Sequence, residues 1–148
     1  AGNQVAFTLS ESVCLAGRKD GFMGLIESGG VDILFANEDE VCQLTGAADL
    51  DGAVATLGKH VPTLIVTRGA AGATAIEGGE LTDHPAVPVQ QLIDTTGAGD
   101  LFAAGVLAAR AKGYGIDRQL LTGAIAAAEV ISHFGARPLA DLKELVKL

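Results

Sequence analysis

The sequence is poor in aromatic side chains and contains no tryptophan. Aromatic residues make up 4% of its 148 residues and there is one methionine, yet hydrophobic residues reach 49%. A core built from this chain must therefore consist mainly of aliphatic, alanine and glycine residues. No apolar run approaches the roughly 20 residues that a membrane-spanning helix needs. We therefore expect a globular domain without a membrane partner.

Basic residues are also few. Ten Lys and Arg stand against 18 Asp and Glu, which gives a formal net charge of −8. A nucleic-acid-binding surface needs clustered Lys and Arg, so we expect no nucleic-acid partner. The acidic balance does not exclude phosphate ligands, because backbone amides can hold a phosphate without basic side chains.

The few cysteines and histidines lack the spacing of a zinc site or a redox motif. They are Cys14, Cys42, His60, His84 and His133. The first residues show no signal-peptide pattern. We therefore expect inert thiols in a protein of the reducing cytoplasm.

Strand-like and helix-like patterns alternate along the chain, which favours a layered α/β fold with a largely parallel sheet. Strands are predicted at 5–10, 31–36, 63–67, 73–77 and 87–89. Helices are predicted at 21–27, after Asn37, from Asp49 to Gly58, at 101–111 with burial on nearly all sides, from an Asp117 cap to 131, and after Pro138. We find no repeat or linker, so residues 1–148 are predicted to form one layered unit.

Residues 94–100 form the most informative stretch, because they combine glycines with acids just before an apolar helix. Gly97 and Gly99 permit a positive φ and close approach of a ligand to the backbone. Free amides and the positive end of the helix dipole face the same space, which predicts an anion-binding site. Asp100 beside it can accept a proton from a hydroxyl that attacks a bound phosphate. The alternative is an ordinary first-turn aspartate that only favours the helix dipole.

Residues 94–105 resemble the second signature of the ribokinase-like (PfkB) carbohydrate kinases. The resemblance implies a three-layer α/β fold and ATP-dependent phosphoryl transfer to a hydroxyl of a sugar or nucleoside, with ATP and Mg²⁺ bound. It also implies that Asp100 is the catalytic base. The amides of Gly97, Ala98 and Gly99 would then stabilise the charge on the transferred γ-phosphate.

Residues 37–40 resemble the Asn-x-x-Glu motif of the same family and precede the signature in the expected order. By this resemblance Asn37 and Glu40 help to order Mg²⁺, water and phosphate, with Glu40 acting on the metal through water. The alternative is a plain helix N-terminus, where acidic residues are favoured in any case.

Residues 67–72 resemble the family's strand-end loop that borders the nucleotide. Thr67, Gly69 and Gly72 match its pattern and are predicted to contact ATP. A simple hairpin turn is the alternative interpretation.

Residues 127–136 resemble the segment that closes over the adenine in this family. The resemblance makes His133 and Gly135 candidates for the nucleotide pocket, although a surface histidine at a helix end is an equally good interpretation of His133. In many members carbonyl groups of this segment also hold a monovalent cation such as K⁺. Asp94 and Thr96 would supply the other part of that site.

The resemblance covers the C-terminal half of the family's fold, so the N-terminal substrate-binding half and its lid are expected to be absent. Residues 32–37 and 132–138 look most like bacterial adenosine-kinase-like members. Two alternatives stay open beside an enzyme fragment. The chain could be a non-catalytic nucleotide-binding piece, or an assembly piece that joins a second copy or a separate N-terminal half through an open sheet edge.

Overall fold

The computed structural model describes residues 3–9 and 17–147. The strands in these ranges are β1 (Ala6–Thr8), β2 (Ile33–Asn37), β3 (Thr63–Thr67), β4 (Ala73–Glu77) and β5 (Glu80–His84). The helices are α1 (Lys19–Glu27), α2 (Glu38–Thr45), α3 (Leu50–Leu57), α4 (Ala98–Ala111), α5 (Ile116–Val130) and α6 (Leu142–Val146). None of these helices is long and apolar enough to cross a membrane.

The chain forms two compact units. The first comprises residues 1–68 and 74–81, and the second comprises residues 69–73 and 82–148. The first unit holds β1 to β3 with α1 to α3, and the second holds α4 to α6.

The sheet has the strand order β1-β2-β3-β4-β5. The first three strands are parallel, with Leu34 opposite both Phe7 and Leu64. Four of the five residues in β2 and in β3 are buried, as expected of parallel strands covered on both faces. The prediction of an α/β fold with a largely parallel sheet is confirmed, although the strand predicted at 31–36 begins and ends later, at Ile33–Asn37.

An aliphatic core holds the first unit together. Leu34 and Leu64 from the strands are fully buried in one cluster with Val41 and Leu57 from the helices. Burying each such side chain contributes about 1.5 to 3 kcal/mol. This packing fixes the directions in which β2 and β3 end, and those ends carry several of the predicted site residues.

The second strand of the hairpin lies earlier in the chain than predicted. A strand was expected at 87–89, but β5 occupies Glu80–His84 and residues 85–89 form no strand. Gly78 and Gly79 have φ of 60° and 86°, which suits a two-residue turn between strands. The short turn places the return strand immediately after it, and Pro88 cannot donate a hydrogen bond to a strand ladder.

The helices α4 and α5 form the centre of the second unit, and two expectations about them are wrong. Ala104 and Ala108 are exposed, so α4 is buried along one face and not on nearly all sides. Asp117 does not cap α5, because Gly115 is the N-cap and Asp117 lies within the first turn. Small residues cover both faces of α4, so composition alone does not indicate which face packs.

Glycines bring α4 and α5 into close contact. A Cβ at Gly123 would lie 2.7 Å from the carbonyl oxygen of Phe102 and 2.9 Å from Cγ2 of Val106. A Cβ at Gly105 would lie 2.8 Å from the carbonyl oxygen of Thr122. The two backbones can therefore approach only because neither glycine has a side chain.

We expect Gly123→Ala to lower the free energy of unfolding by about 1 to 3 kcal/mol, because the added methyl group overpacks the helix contact. Helix propensity alone would favour alanine by about 1 kcal/mol. Gly24→Ala in α1 is the matched control, since no heavy atom lies within 4 Å of its Cβ position. The control should be stabilised by about 0.5 to 1 kcal/mol. Urea unfolding measures both, and equal stabilisation of the two variants would contradict the close packing.

Cys42 has a free, half-buried thiol. Burial, followed by the negative charges of Glu38, Asp49 and Asp39, raises the pKa of this thiol. A raised pKa favours the unreactive protonated form. The other cysteine, Cys14, lies outside the described residues.

Candidate active site

The carboxyl ends of β2 and β3 bring three predicted residues to one edge of the sheet. Asn37 ends β2 and Thr67 ends β3, and the two are partners in the strand register. Glu40 lies in the first turn of α2, which begins directly after β2. In open α/β sheets, ligands bind outside the carboxyl ends of the strands. The first unit therefore offers a polar edge suited to a ligand.

Asn37 and Glu40 form a reciprocal capping box at this edge. Asn37 Oδ1 accepts a hydrogen bond from the Glu40 N–H at 2.8 Å, and Glu40 Oε2 accepts one from the Asn37 N–H at 2.9 Å. The box satisfies backbone donors that a helix start otherwise leaves unpaired. Glu40 is buried, so its carboxylate is held in one place. Asn37 and Glu40 thus have the helix-start role that the sequence left open as an alternative. Oε1 of Glu40 takes no part in the box.

The residues after β3 form a 3₁₀ turn at Gly69–Ala71. The Gly72 N–H donates to the Gly69 carbonyl at 3.1 Å. Gly72 has φ +95° and its Cα faces the backbone of His84, Pro85 and Ala86, so no side chain fits there. Gly69 is exposed, with no heavy atom within 4 Å of its Cβ position. Gly72 is therefore needed for packing, whereas the surface at Gly69 is open to a ligand.

The predicted anion-binding loop forms the N-terminus of α4. Gly97 is the N-cap and has φ +80°, and a Cβ there would lie 2.8 Å from the Cβ of Ala136. Gly99, in contrast, has no positive φ. No heavy atom lies within 4 Å of its Cβ position, so Gly99 leaves open space in front of the helix. Of the two glycines, only Gly97 uses the left-handed conformation.

Two backbone N–H groups are available at the start of α4. The Ala98 N–H, predicted to share in anion binding, donates to the Thr95 carbonyl at 3.1 Å instead. The Leu101 N–H donates to the Gly97 carbonyl at 2.9 Å, and no side chain of the described residues caps this helix. The N–H groups of Gly99 and Asp100 are therefore the ones left without an intrahelical acceptor. They point with the positive end of the helix dipole, which suits an anion.

The Asp100 side chain is exposed at the third position of α4. It lies on the same helix turn as the two available amides. A carboxylate in this position can accept a proton from a hydroxyl close to a bound anion. This arrangement can therefore hold an anion and act as a base at one helix end.

Asp94 connects the loop before α4 to the turn after α5. Its Oδ1 accepts from the Thr96 N–H at 2.9 Å and its Oδ2 from the Gly135 N–H at 3.0 Å. The side-chain hydrogen bond with Thr96, followed by the backbone N–H groups of Gly135 and Thr96, lowers the pKa of Asp94 to about 2. The structure thus brings together Asp94, Thr96 and Gly135, which the sequence predicted as parts of one region.

His133 contacts a glutamate that sequence reasoning missed. His133 Nε2 lies 3.3 Å from Glu129 Oε1, and its Nδ1 lies 3.2 Å from the Phe134 carbonyl. Its side chain is 17% exposed, so it is not a free surface histidine. One signal could have revealed Glu129, because an acid in the last turn of an apolar helix opposes the helix dipole.

Burial is the largest single influence on Glu129 and raises its pKa. Hydrogen bonds from the N–H groups of Ala140 and Leu139 and from His133 outweigh this effect, so the pKa lies below the ordinary value. Glu129 is therefore a partly buried carboxylate that remains ionised near neutral pH.

A family model described as pfkB family carbohydrate kinase matches residues 13–142. The chain belongs to this family. The family match thus extends well beyond the signature at residues 94–105 and covers most of the chain.

Solved structures and curated sequences of the PfkB family are similar to the chain. The crystal structure of adenosine kinase from Sinorhizobium meliloti has a TM-score of 0.96 and 36% identity, covering 99% of this chain and 45% of that one. Arabidopsis thaliana ribokinase complexed with ribose and ATP has a TM-score of 0.73 and 32% identity, covering 83% of this chain and 41% of that one. Thermococcus kodakarensis cytidine kinase is 34% identical over 108 residues, 71% of this chain and 38% of the relative.

This PfkB-family chain thus spans less than half the length of these relatives. Its candidate residues fall into two groups, one in each compact unit. The first unit holds Asn37, Glu40 and Thr67. The second unit holds Gly69, Gly72, Asp94, Thr96, Gly97, Ala98, Gly99, Asp100, His133 and Gly135.

Proposed function

We propose that this chain carries the ATP-binding and phosphoryl-transfer residues of a kinase that acts on a hydroxyl of a sugar or nucleoside. One observation carries the proposal. The exposed carboxylate of Asp100 lies on the first turn of α4 beside the available amides of Gly99 and Asp100 itself. A base next to an anion site is the minimum that transfer of a phosphoryl group to a hydroxyl requires.

In the proposed reaction Asp100 accepts the proton of the substrate hydroxyl. The hydroxyl oxygen forms a bond to the γ-phosphorus of ATP while the bond from that phosphorus to the β–γ bridging oxygen breaks, and ADP leaves. Backbone amides at the start of α4 stabilise the charge on the transferred group. Gly97 starts the helix in the required direction, and Gly99 leaves room for the phosphate. Positioning and electrostatics therefore supply most of the catalysis.

We assign the ordering of Mg²⁺ to Asn37 and Glu40. Carboxylate and amide oxygens are ligands of the type that Mg²⁺ accepts, often through water. The capping box uses Oε2 of Glu40 and leaves Oε1 outside it. Oε1 is therefore the atom that could accept a hydrogen bond from a water molecule bound to Mg²⁺. When bound, Mg²⁺ neutralises charge on the phosphates.

We assign a monovalent-cation site, for K⁺, to Asp94 and Thr96. The fit rests on the Asp94 carboxylate, which the N–H groups of Thr96 and Gly135 hold in one position. Its carboxylate oxygens each accept one N–H and retain further lone pairs for a cation. Such a cation would strengthen the electrostatic field near the anion site without contacting the substrate.

We assign the border of the nucleotide to Thr67, Gly69, Gly72, His133 and Gly135. The exposed, unobstructed surface at Gly69 supports this role. Both ring nitrogens of His133 already lie beside acceptor atoms of the protein. We therefore assign His133 to the nucleotide border through the surface of its ring and not through a hydrogen bond to ATP. Gly72 contributes through backbone shape only.

A non-catalytic nucleotide-binding piece that assembles with a second copy or a separate substrate-binding half is the second candidate. This candidate is favoured by the position of β1 at one edge of the sheet, as far as the described residues go. In β1, Ala6 and Thr8 are exposed, and so is Val5 just before it. An unpaired strand edge can accept another strand. Binding of ATP by the chain without turnover of any sugar or nucleoside would favour this candidate over an independent enzyme.

We expect Gly99→Asp to weaken ATP binding by about 5- to 700-fold. Two like charges about 4 Å apart repel by about 1 kcal/mol in water and about 4 kcal/mol near a protein surface, and 1.4 kcal/mol corresponds to ten-fold in affinity. The new side chain should not strain the fold, because Gly99 has open surroundings and no positive φ. Isothermal titration with ATP, Mg²⁺ and K⁺ provides the measurement.

The matched control is Gly115→Asp at the N-cap of α5, which also has no heavy atom within 4 Å of its Cβ position. It adds the same charge to a different helix start and should leave ATP affinity unchanged. An unchanged affinity for Gly99→Asp, or an equal loss in both variants, would refute an anion site at α4.

A further inference from the structure

Glu129 is a partly buried acid in an unfavourable place. It lies in the last turn of α5, where the negative end of the helix dipole disfavours a carboxylate. Its side chain is only 10% exposed. Removing a carboxylate from water is costly unless other groups compensate. The hydrogen bonds of Glu129 therefore show which groups compensate for its partial removal from water.

One oxygen of Glu129 holds both ends of the loop formed by residues 133–140. Oε1 accepts from the N–H groups of Leu139 at 2.8 Å and Ala140 at 2.9 Å, and it lies 3.3 Å from His133 Nε2. Oε2 is buried and has no partner among the described residues. A single oxygen of this carboxylate therefore makes all of its contacts with the loop.

The loop does not hold itself in place by burying its own apolar side chains. Phe134 is 84% exposed and Leu139 is 78% exposed. A segment with few buried apolar contacts opens at low cost, so its shape depends on its hydrogen bonds. In the middle of the loop the Gly135 N–H donates to Asp94, a residue of the segment just before α4. Glu129 at the ends and Asp94 in the middle therefore hold this loop by hydrogen bonds, beside the contact of Ala136 with Gly97.

We propose that Glu129 is a positioning residue for nucleotide binding: it holds the 133–140 loop in the shape in which the loop meets the base end of ATP. This inference rests on the proposed function, and it assigns a task to a residue that does not itself contact the nucleotide. The loop offers an exposed aromatic ring, Phe134, and a flat apolar base is the part of ATP that such a ring contacts favourably. The phosphates are held elsewhere, at the start of α4.

The test compares two ligands on the full chain, namely ATP and inorganic tripolyphosphate, each with Mg²⁺. Tripolyphosphate carries the phosphates without the base. Glu129→Ala removes every contact of the carboxylate and should raise the dissociation constant for ATP about ten-fold, since a loop that keeps its shape about a tenth of the time weakens binding by that factor. The dissociation constant for tripolyphosphate should stay within about two-fold, a small change in free energy. Tripolyphosphate has no base, so the shape of the loop should not affect its binding.

Two variants separate positioning from loss of fold. Glu129→Gln keeps an acceptor oxygen for the Leu139 and Ala140 N–H groups. It should restore ATP affinity to within about three-fold of the original, because a neutral acceptor binds these donors about half as strongly. Glu144→Ala removes an exposed acid of α6 and should change neither affinity. Hydrogen exchange without ligand should show faster exchange of the Leu139 and Ala140 amides in Glu129→Ala.

The outcomes distinguish this inference from the proposed function. If the original chain binds neither ligand, the proposed function is wrong. If it binds both and Glu129→Ala changes neither affinity, the role of Glu129 is wrong while the function stands. Equal weakening of ATP and tripolyphosphate would also overturn the inference, because a base-end effect cannot act on a ligand without a base.

Discussion

Asp100→Asn is expected to lower the rate of phosphoryl transfer by about 10²- to 10⁴-fold, the usual effect of removing a general base. The amide has nearly the same shape as the carboxylate but cannot accept the proton. The fold should be unaffected, because the side chain is exposed. ATP affinity should stay the same or rise slightly, because the substitution removes a negative charge close to the bound phosphates. Turnover is measured on the full chain against a panel of sugars and nucleosides.

Asp117→Asn is the matched control for Asp100. Asp117 also lies in the first turn of a helix, is exposed, and has no side-chain role in the cap. Each substitution removes a favourable charge at a helix start, worth about 0.3 to 1 kcal/mol. The two variants should therefore lose similar stability, while only Asp100→Asn loses turnover. Unchanged turnover in Asp100→Asn would show that Asp100 is the ordinary first-turn acid that the sequence also permitted.

Gly72→Ala should be the most destabilising single change, lowering the free energy of unfolding by about 2 to 6 kcal/mol. Holding a non-glycine residue at φ +95° costs about 1 to 3 kcal/mol. Overpacking adds about 1 to 3 kcal/mol, because the new Cβ would meet the His84 carbonyl and lie 2.7 Å from the Ala86 nitrogen. Backbone atoms cannot move aside as a flexible side chain would. Chemical unfolding followed by circular dichroism measures the change.

Gly69→Ala separates the two contributions at Gly72. Gly69 also has a positive φ, +56°, but no heavy atom lies within 4 Å of its Cβ position. It should lose only about 1 to 2 kcal/mol, the cost of the left-handed conformation for a residue with a Cβ. Comparable losses in the two variants would mean that the loop moves away from residues 84–86 to accommodate the methyl group.

The glycines of this region show how similar sequence signals can have different structural causes. Gly72 and Gly69 match one predicted nucleotide-binding pattern, yet only Gly72 is enclosed by backbone. Gly97 and Gly99 match another, yet only Gly97 has a positive φ. Variants at Gly72 or Gly97 would therefore mix folding effects with binding effects. Gly99 is the position at which binding can be tested without strain.

The capping role of Asn37 and Glu40 is compatible with the metal-ordering role that we propose for them. The capping box explains locally why an asparagine and a glutamate stand three residues apart at a helix start. The same box fixes Glu40 in a buried position at the carboxyl edge of the sheet. A structural role in this place does not compete with metal ordering, because a fixed carboxylate is better suited to it than a mobile one.

Much of the fold follows from local sequence patterns. The β-branched run at Thr63–Thr67 forms a strand with the predicted bounds. Asp49 caps α3 as expected, accepting from the Gly52 N–H at 2.9 Å. These features are predictable because strand burial, helix caps and glycine turns depend on residues close together in the chain. The same locality let the sequence predict an anion site at the start of α4.

The sequence by itself thus determined the α/β class, the family signature and the placement of Asp100 at a helix start. Only the tertiary structure decided which atoms meet across the chain. Asp94 accepts from Gly135, 41 residues away, and Glu129 gathers the N–H groups of Leu139 and Ala140. Neither contact leaves a periodic or spacing signal, because each depends on how separate helices and loops pack. Long-range packing, and not local propensity, therefore sets the shape of the loop that we propose receives the nucleotide.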